Sequence, residues 1–390
     1  MSIHMLARQF VTSIAVAGFA ISSDALAAPD AAEMVKRLAD SNAVVRRAAA
    51  DELAEHAATA QSAVPALINA LNDRDVRVRA NSARALGKIK QPAERVVPAL
   101  VEAFQDADWT VRHNAALALR WVGEAATPFL VEAVGDKRPR VRLFCADTLN
   151  RITPRYAAQT SPVLIALLDH PEDEIRLIAA EALGDLTSNA SGAVPALTKL
   201  LDHPKTEARV IAIKTLGAIG QPANAAVPGL TALLAANQKT IVRVEAARAL
   251  ESIGVNHALW MPAVVQMLQP SHEEQLAAVA ELVLGRIGTP AVPLLVEALK
   301  DAGPAVRASA AEALSIAGPS AIRAVPDLIS MLNDADWSVR QRSVRALGEI
   351  GLSSDQVIRA LNAASNDREE VVRVFAQEAL RKLSARNQKG

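Results

Sequence analysis

The chain has 390 residues, with 42 Lys and Arg balanced by 42 Asp and Glu. This neutral charge, without a basic run, argues against a nucleic-acid partner and against binding to an anionic membrane surface. Hydrophobic residues make up 51% of the chain but aromatic residues only 3%, so Ala, Leu and Val must build the core, as in thin layers of closely packed helices rather than a large enzyme domain.

Residues 1–27 have the pattern of a secretory signal peptide. Arg8 precedes a short apolar run from Phe10 to Ser22, and Ala25 and Ala27 supply small residues at the cleavage positions. The run is shorter than the roughly 20 residues that span a bilayer, and no Cys follows it to carry a lipid. A first buried helix is the alternative interpretation. We expect an exported protein, periplasmic or secreted, without an integral membrane segment in its mature form.

A Val-Arg marker recurs through the rest of the chain in steps of 30 to 34 residues. Its first residue, the marker position, falls at Val45, Val78, Val111, Val141, Ile175, Ala208, Val242, Leu276, Val306, Val339 and Val372. Arg follows in every repeat except the eighth, which has Ala277, and a Pro precedes the marker by 13 or 14 residues in nine repeats. A period of this length predicts stacked supersecondary units, here eleven repeats.

Each repeat is predicted to contain two helices, A and B. Pro can occupy the first turn of helix A. Asp75, Asp108 and Asp336 can cap helix B, and Gly commonly follows its last turn. A pair of about 33 residues cannot bury its apolar faces alone, so we expect one all-α solenoid over residues 28–386, followed by a tail at 387–390.

Two segments carry a family resemblance: VPALINALNDRDVRVRANSARALGKI (residues 64–89) and VPDLISMLNDADWSVRQRSVRALGEIG (residues 325–351). They resemble HEAT repeats, most of all the bacterial subtype named after phycobilisome lyases. The resemblance implies a right-handed α–α superhelix in which helix B lines the concave face.

The resemblance also implies a ladder between neighbouring repeats, joining the Arg of helix B to an Asp of the turn five residues before the next marker. The matching residues are Arg46, Arg79, Arg112, Arg142, Arg307, Arg340 and Arg373 with Asp73, Asp106 and Asp334. The middle repeats carry His170, His203, Asn237 and Ser271 at the Asp position, so we expect the ladder to be interrupted there.

Candidate partner-binding residues lie on helix B. Two positions after the marker (+2), four consecutive repeats carry an apolar residue: Leu143, Leu177, Val210 and Val244. If exposed, this strip would form a binding surface; burial between neighbouring repeats is the alternative. His113 lies at +2 in repeat 3, and Trp109 and Trp337 lie in the first turn of helix B as candidate anchors, unless they pack on the preceding turn. Trp121 is expected to pack at the edge of the core.

The sequence shows no catalytic motif and predicts neither a metal nor a cofactor. His170 and His203 are equivalent turn residues about 10 Å apart, too far to share a zinc ion, and Cys145 stands where other repeats have Ala. The one His-Glu pair, His272-Glu273, does not support an iron enzyme similar to deoxyhypusine hydroxylase.

We therefore predict a non-catalytic scaffold that binds a protein or peptide along the concave face. An enzyme or cofactor-binding relative of the lyases and hydroxylases, and a structural module of the cell envelope, remain alternatives. We also predict an irregular repeat 8, which lacks the marker Arg and is followed by a 30-residue step.

Overall fold

The computed structural model describes residues 30–270 and 274–387, and over these ranges the chain forms 22 α-helices and no strand. The predicted signal peptide, residues 1–27, lies outside the described residues. The helices pair into eleven antiparallel hairpins, in which the odd-numbered helix is A and the even-numbered helix is B. The prediction of an all-α superhelical array is thereby confirmed.

In chain order the helices are α1 (Ala31–Leu38), α2 (Ala43–Glu55), α3 (Val64–Ala70), α4 (Val76–Ile89), α5 (Ala93–Glu102), α6 (Trp109–Val122), α7 (Thr127–Ala133), α8 (Pro139–Ile152), α9 (Ala157–Leu167), α10 (Asp173–Asp185), α11 (Val194–Leu200), α12 (Thr206–Ile219), α13 (Val227–Ala232), α14 (Thr240–Ile253), α15 (His257–Val265), α16 (Glu274–Ile287), α17 (Val292–Ala298), α18 (Pro304–Ala317), α19 (Val325–Met331), α20 (Trp337–Ile350), α21 (Asp355–Ala364) and α22 (Glu370–Asn387).

The ends of the B helices follow the predicted capping pattern. Asp75 accepts hydrogen bonds from the backbone N–H groups of Arg77 and Val78, at 2.9 and 3.2 Å. Asp108 and Asp336 accept the equivalent bonds at the starts of α6 and α20. A side-chain oxygen in this position satisfies backbone donors that have no partner within the helix.

The B helices of neighbouring repeats pack much more closely than the A helices do. Glycine makes the closest seams possible, since a Cβ on Gly87 of α4 would lie 2.3 Å from the Cα of Ala118 in α6. Gly348 of α20 faces Ala379 of α22 in the same way. Because B helices are closer together than A helices, the array curves with its B helices on the concave side.

The Arg–Asp ladder forms at both ends of the array. In each of four seams the guanidinium donates from Nε and Nη2 to the two carboxylate oxygens at 2.6–3.0 Å; the pairs are Arg46–Asp73, Arg79–Asp106, Arg307–Asp334 and Arg340–Asp367. The remaining nitrogen donates to carbonyls of the turn of its own repeat, as Arg340 does to Asp334 at 2.9 Å. Paired fork-to-carboxylate geometry of this kind fixes orientation as well as adding energy.

Three of the predicted ladder arginines do not reach an Asp of the next repeat. Arg142 and Arg373 donate only to carbonyls of their own turns. For Arg142 the next repeat offers His170 instead of Asp, and Arg373 belongs to the last repeat. Arg112 pairs instead with Glu174, two repeats further along.

Two ion pairs each span a whole repeat, and each also crosses one of the two short marker steps. The marker steps that end repeats 3 and 8 are only 30 residues. Arg112 of repeat 3 meets Glu174 of repeat 5, and Glu281 of repeat 8 meets Arg342 of repeat 10 at 3.0 Å. Helices two repeats apart in a straight stack would be roughly 20 Å apart, so these contacts show that the array bends at repeats 4 and 9.

The irregularity predicted for repeat 8 falls partly on residues 271–273, which lie outside the described ranges. Because residue 277 is Ala, repeat 8 has no guanidinium to pair with Asp301 of the next turn, and Gln269 donates a hydrogen bond to that carboxylate at 3.4 Å instead.

In the described ranges no single helix is both long and apolar enough to cross a bilayer. One pair of helices, Gln275–Ile287 and Thr289–Ala298, has the required length and composition when taken together, but the pair is bent by 116°.

Candidate functional site

The predicted apolar strip at +2 is not exposed. Leu143 is completely buried and Val244 is 6% exposed, and both belong to the contiguous core. Val210 is half-buried against that core, and Leu177 is half-buried as well. The prediction of an exposed surface was therefore wrong for Leu143 and Val244, which pack in the core, whereas Leu177 and Val210 are partly accessible.

A different row of side chains is exposed, and it follows helix α6. Trp109, His113, Leu117 and Trp121 are spaced by four residues and so lie along one side of the helix. Trp109 is 49% exposed, Trp121 is 38% exposed, and His113 is also exposed, while Leu117 is half-buried. We call these four residues the α6 stripe. Trp121 therefore does not pack within the core edge as expected but contributes to an accessible apolar surface.

Contacts with neighbouring side chains hold the Trp109 ring in place. The Arg112 guanidinium lies 5.7 Å from its centroid, within cation–π range, and the His113 ring lies 5.6 Å away. Phe144 of α8 approaches it at 6.1 Å. Trp109 thus leans toward the next repeat and remains half-exposed in a fixed position.

Trp337 occupies the equivalent position on α20 and is similarly exposed, at 48%. The side chains that follow it at four-residue steps are Gln341, Arg345 and Glu349. Arg345 pairs with Glu312 at 2.9 Å. The environment of Trp337 is therefore polar, and this residue has no apolar stripe comparable to that on α6.

The α6 stripe borders a cleft between α6 and α8. At the position of Gly87 in repeat 2 and Gly348 in repeat 10, nine residues after the marker, repeat 3 carries Arg120. A long side chain cannot fit a seam of the Gly87–Ala118 kind, and α6 indeed packs much less extensively on α8 than on α4. The resulting α6–α8 cleft has a volume of about 360 Å³ and is lined by Leu117, Arg120, Trp121, Gly123, Glu124, Arg151 and Ile152.

Most charged groups around this cleft pair with one another. Arg151 contacts Asp147 at 2.9 Å and Asp185 of α10 at 2.8 Å. Glu124 pairs with Arg155 at 2.9 Å. Burial raises the pKa of the Asp147 carboxyl, and the charge of Arg151 opposes that rise.

His113 experiences the positive charge of this region. Burial lowers the pKa of its imidazole, and the neighbouring charges of Arg120 and Arg151 lower it further. The ring is therefore neutral near pH 7, and it can accept or donate a hydrogen bond at the edge of the cleft.

A second cleft, of about 270 Å³, lies between α20 and α22 near Gly348 and Phe375. Lys382 there contacts Glu349 at 2.8 Å and Glu378 at 3.0 Å. These groups neutralise one another, and no Trp lines the cleft. The α6–α8 cleft is therefore the better candidate site.

The two turn histidines take the place of the Asp found in other repeats. Nδ1 of His170 accepts from the backbone N–H of Glu172 at 3.1 Å, and Nδ1 of His203 accepts from that of Lys205 at 3.2 Å. Asp73 makes the same bond with the Asp75 N–H. The Nε2 of His203 then carries the ring proton, so its 3.3 Å approach to Arg176 does not replace the ladder ion pair.

The two histidines thus accept backbone hydrogen bonds within their turns. Within residues 30–270 and 274–387, no three His, Cys, Asp or Glu side chains are placed to hold a metal ion. Cys145 is buried, and burial raises the pKa of its thiol.

Comparison with solved structures finds similar solenoids. Kap121p aligns with a TM-score of 0.65 at 16% identity over 90% of this chain and 44% of its own. Kap121p bound to Nup53p gives a TM-score of 0.66 at 17% identity over the same shares, and importin beta gives 0.61 at 16% identity over 92% of this chain and 56% of its own. The chain thus spans about half the length of these proteins, and such identities establish similarity of fold.

Comparison with curated proteins gave no match. The family model for HEAT repeats matches residues 31–120, 97–183, 160–251, 261–324 and 319–381, which together cover almost all of the described chain. With its eleven helical hairpins, the chain belongs to the HEAT-repeat family.

Proposed function

We propose that this protein is a non-catalytic scaffold that binds a protein or peptide segment on its concave side, with the α6 stripe and the α6–α8 cleft as the principal contacts. The observation that carries the proposal is the exposed row from Trp109 to Trp121 beside an open seam. Trp and Arg are the residues that most often dominate the binding energy of protein interfaces.

The similar solenoids support a binding role. Solved structures show Kap121p bound to Ste12p, to Nup53p and to the extreme C-terminus of the phosphatase Cdc14p. A curved helical array can thus hold protein ligands, since each repeat adds contact area to one continuous surface.

The mutual pairing of charges around the cleft favours binding over acid–base chemistry. Asp147 and Glu124 are each engaged by an arginine, Arg151 and Arg155 respectively. A carboxylate whose oxygens already accept hydrogen bonds from a guanidinium is poorly placed to take a proton from a substrate.

We further propose that the protein is exported, to the periplasm or the medium, through cleavage after Ala27, and that its repeats belong to the subtype named after phycobilisome lyases. Residues 1–27 carry the export proposal through their charge and apolar pattern. N-terminal sequencing of the protein from fractionated cells tests it: a chain beginning at Ala28 outside the cytoplasm supports export, and an intact Met1 in the cytoplasm contradicts it.

The binding proposal is tested by selecting peptides from a random twelve-residue library on the folded protein and measuring their dissociation constants. Trp121→Ala should weaken binding by roughly 30-fold, the equivalent of about 2 kcal/mol for a central interface residue, and Trp109→Ala should also weaken it. Leu259→Ala is the matched control, because Leu259 is an exposed apolar residue (53%) on the A helix α15. Peptides that bind all four proteins equally would refute the proposed surface.

A further inference from the structure

We infer that the α6–α8 cleft recognises an acidic side chain placed next to a large apolar side chain within an extended peptide segment. Arg120 would bind the carboxylate, and Leu117, Trp121 and Ile152 would receive the apolar neighbour. The inference rests on the proposed function and names the chemistry of its partner.

The first observation is the state of Arg120. Several arginines elsewhere on the B helices are matched to acids: Arg84 contacts Asp51 at 2.6 Å, and Arg345 contacts Glu312 at 2.9 Å. Arg120 is exposed and lines the cleft, yet no carboxylate of the described chain lies within ion-pair distance of it. A guanidinium in this state can form a two-pronged hydrogen-bonded pair with an incoming carboxylate.

The second observation is the position of Arg120 in the repeat. The equivalent residues Gly87 and Gly348 allow their helices to touch, whereas Arg120 stands between α6 and α8, where the seam is open. Arg120 thus takes the position that glycine has in the closer seams and places a cation in the cleft.

The third observation is the balance of the remaining charges. The other charged residues lining the cleft are Glu124 and Arg151. Glu124 is paired with Arg155, and Arg151 with Asp147 and Asp185. Arg120 is thus the charged residue lining the cleft that has no ion-pair partner among the described residues. The lowered pKa of His113, to which Arg120 contributes, agrees with a positive field there.

The length of the α6 stripe indicates that the ligand is a peptide segment and not a single small carboxylate. Trp109 and Trp121 are twelve residues apart on one helix, about 18 Å at 1.5 Å per residue. An extended peptide needs about five or six residues to cover that distance. A ligand that touches both tryptophans therefore spans several residues, and we assign the carboxylate to an Asp or Glu side chain within that segment.

The apolar half of the site matches a side chain of the size of Leu or Phe. Trp121 and Leu117 line the cleft from α6, and Ile152 lines it from α8. A volume of about 360 Å³ lies at the small end of ligand sites, which suits one large side chain and an adjoining carboxylate.

The test uses a phage library of twelve-residue peptides whose C-termini are fused to the coat protein, so that only side-chain carboxylates are offered. We expect selection on the full-length protein, with depletion on Trp121→Ala, to enrich Asp or Glu beside Leu, Phe or Trp. The best peptide is then synthesised with both ends blocked, together with a version in which Asn or Gln replaces the acid, and their dissociation constants are measured by fluorescence anisotropy.

Both the amide peptide and the Arg120→Gln protein should bind about tenfold more weakly, and combining the two changes should add little, because they remove the same interaction. Arg120→Lys should retain part of the affinity, and Arg323→Gln, a change at an exposed arginine outside the cleft, should have no effect. If the two changes together weaken binding by the full sum of the two separate free-energy losses, the pairing with Arg120 is refuted. Selection that does not enrich Asp or Glu in the peptides refutes it as well.

The outcomes separate this inference from the proposed function. Peptides whose binding depends on Trp121 but not on Arg120 overturn the inference and leave the scaffold proposal intact. Peptides that do not depend on Trp121 overturn both. A free C-terminal carboxylate that binds more tightly than the internal acid assigns the cleft to chain termini and contradicts the inference as stated.

Discussion

Five glycines occupy the same position in different B helices, nine residues after the marker, and Gly→Ala at three of them, Gly87, Gly184 and Gly217, should change stability in a graded way. A Cβ on Gly87 would lie 2.3 Å from the Cα of Ala118; on Gly217 it would lie 3.1 Å from the Cα of Ala249. On Gly184 the nearest atom would be the Thr215 Oγ1, at 3.5 Å. The chemical change is identical in the three variants, and only the facing helix differs.

The expected magnitudes follow from two opposed effects. Ala is favoured over Gly inside a helix by up to about 1 kcal/mol. Carbon atoms rest about 3.5–4.0 Å apart, so at Gly87 the α4–α6 seam must open by more than about 1 Å, and overpacking of that kind costs about 1–3 kcal/mol. We expect Gly87→Ala to destabilise the protein by about 1–2 kcal/mol, Gly217→Ala to be near neutral, and Gly184→Ala to stabilise it by about 0.5 kcal/mol.

The measurement is urea unfolding of the full-length variants together with amide hydrogen exchange, because a repeat array can unfold locally and need not be two-state. Exchange should speed up in α4 and α6 of Gly87→Ala and should not change there in Gly184→Ala. Equal destabilisation by all three substitutions, or a larger loss for Gly184→Ala than for Gly87→Ala, would refute the role assigned to the seams.

Three further results are expected. Asp367→Asn leaves the buried Arg340 without its carboxylate and should destabilise the last two repeats by about 3 kcal/mol, measured by amide exchange in α22. Hydrogen bonds from Arg340 lower the pKa of the Asp367 carboxyl, so the stability from this pair is complete above the ordinary carboxyl pKa of about 4 and is lost as the pH falls below it. Arg342→Gln removes a partly exposed ion pair with Glu281 and should cost less than about 1 kcal/mol in urea unfolding. Cys145 should resist iodoacetamide in the folded protein at pH 8 and react once urea unfolds the chain.

Much of the fold could be predicted from the sequence because the same residue types recur at equivalent positions in most repeats. The marker Val and Arg, the preceding Pro and the capping Asp recur at nearly constant spacing, so the helices followed directly. The resemblance to HEAT repeats implied the ladder, which forms at Arg46, Arg79, Arg307 and Arg340. These interactions connect residues whose separation along the chain is constant from repeat to repeat.

The site was harder to predict because it depends on how neighbouring repeats are spaced. The pattern at +2 identified Leu143 and Val244 as apolar but could not show that packing buries them. Arg120 was inconspicuous in the sequence, although its comparison with Gly87 and Gly348 at the same position would have indicated an open seam. Trp109 and His113 were identified as candidates, whereas the continuation of their row to Leu117 and Trp121 was missed.

The ion pairs that span repeats 4 and 9 could not be predicted from the sequence either. Arg112 with Glu174 and Glu281 with Arg342 join residues about two repeats apart. Such contacts exist only where the array bends, and the 30-residue marker steps were the one available signal of that bending.

A crystal structure of the protein with a selected peptide is the decisive measurement for the proposed binding site. We predict an extended peptide along α6, with an apolar side chain between Trp121 and Ile152 and an acidic side chain paired with Arg120. A peptide bound instead along the A helices, or around Trp337 with the α6–α8 cleft empty, would contradict it.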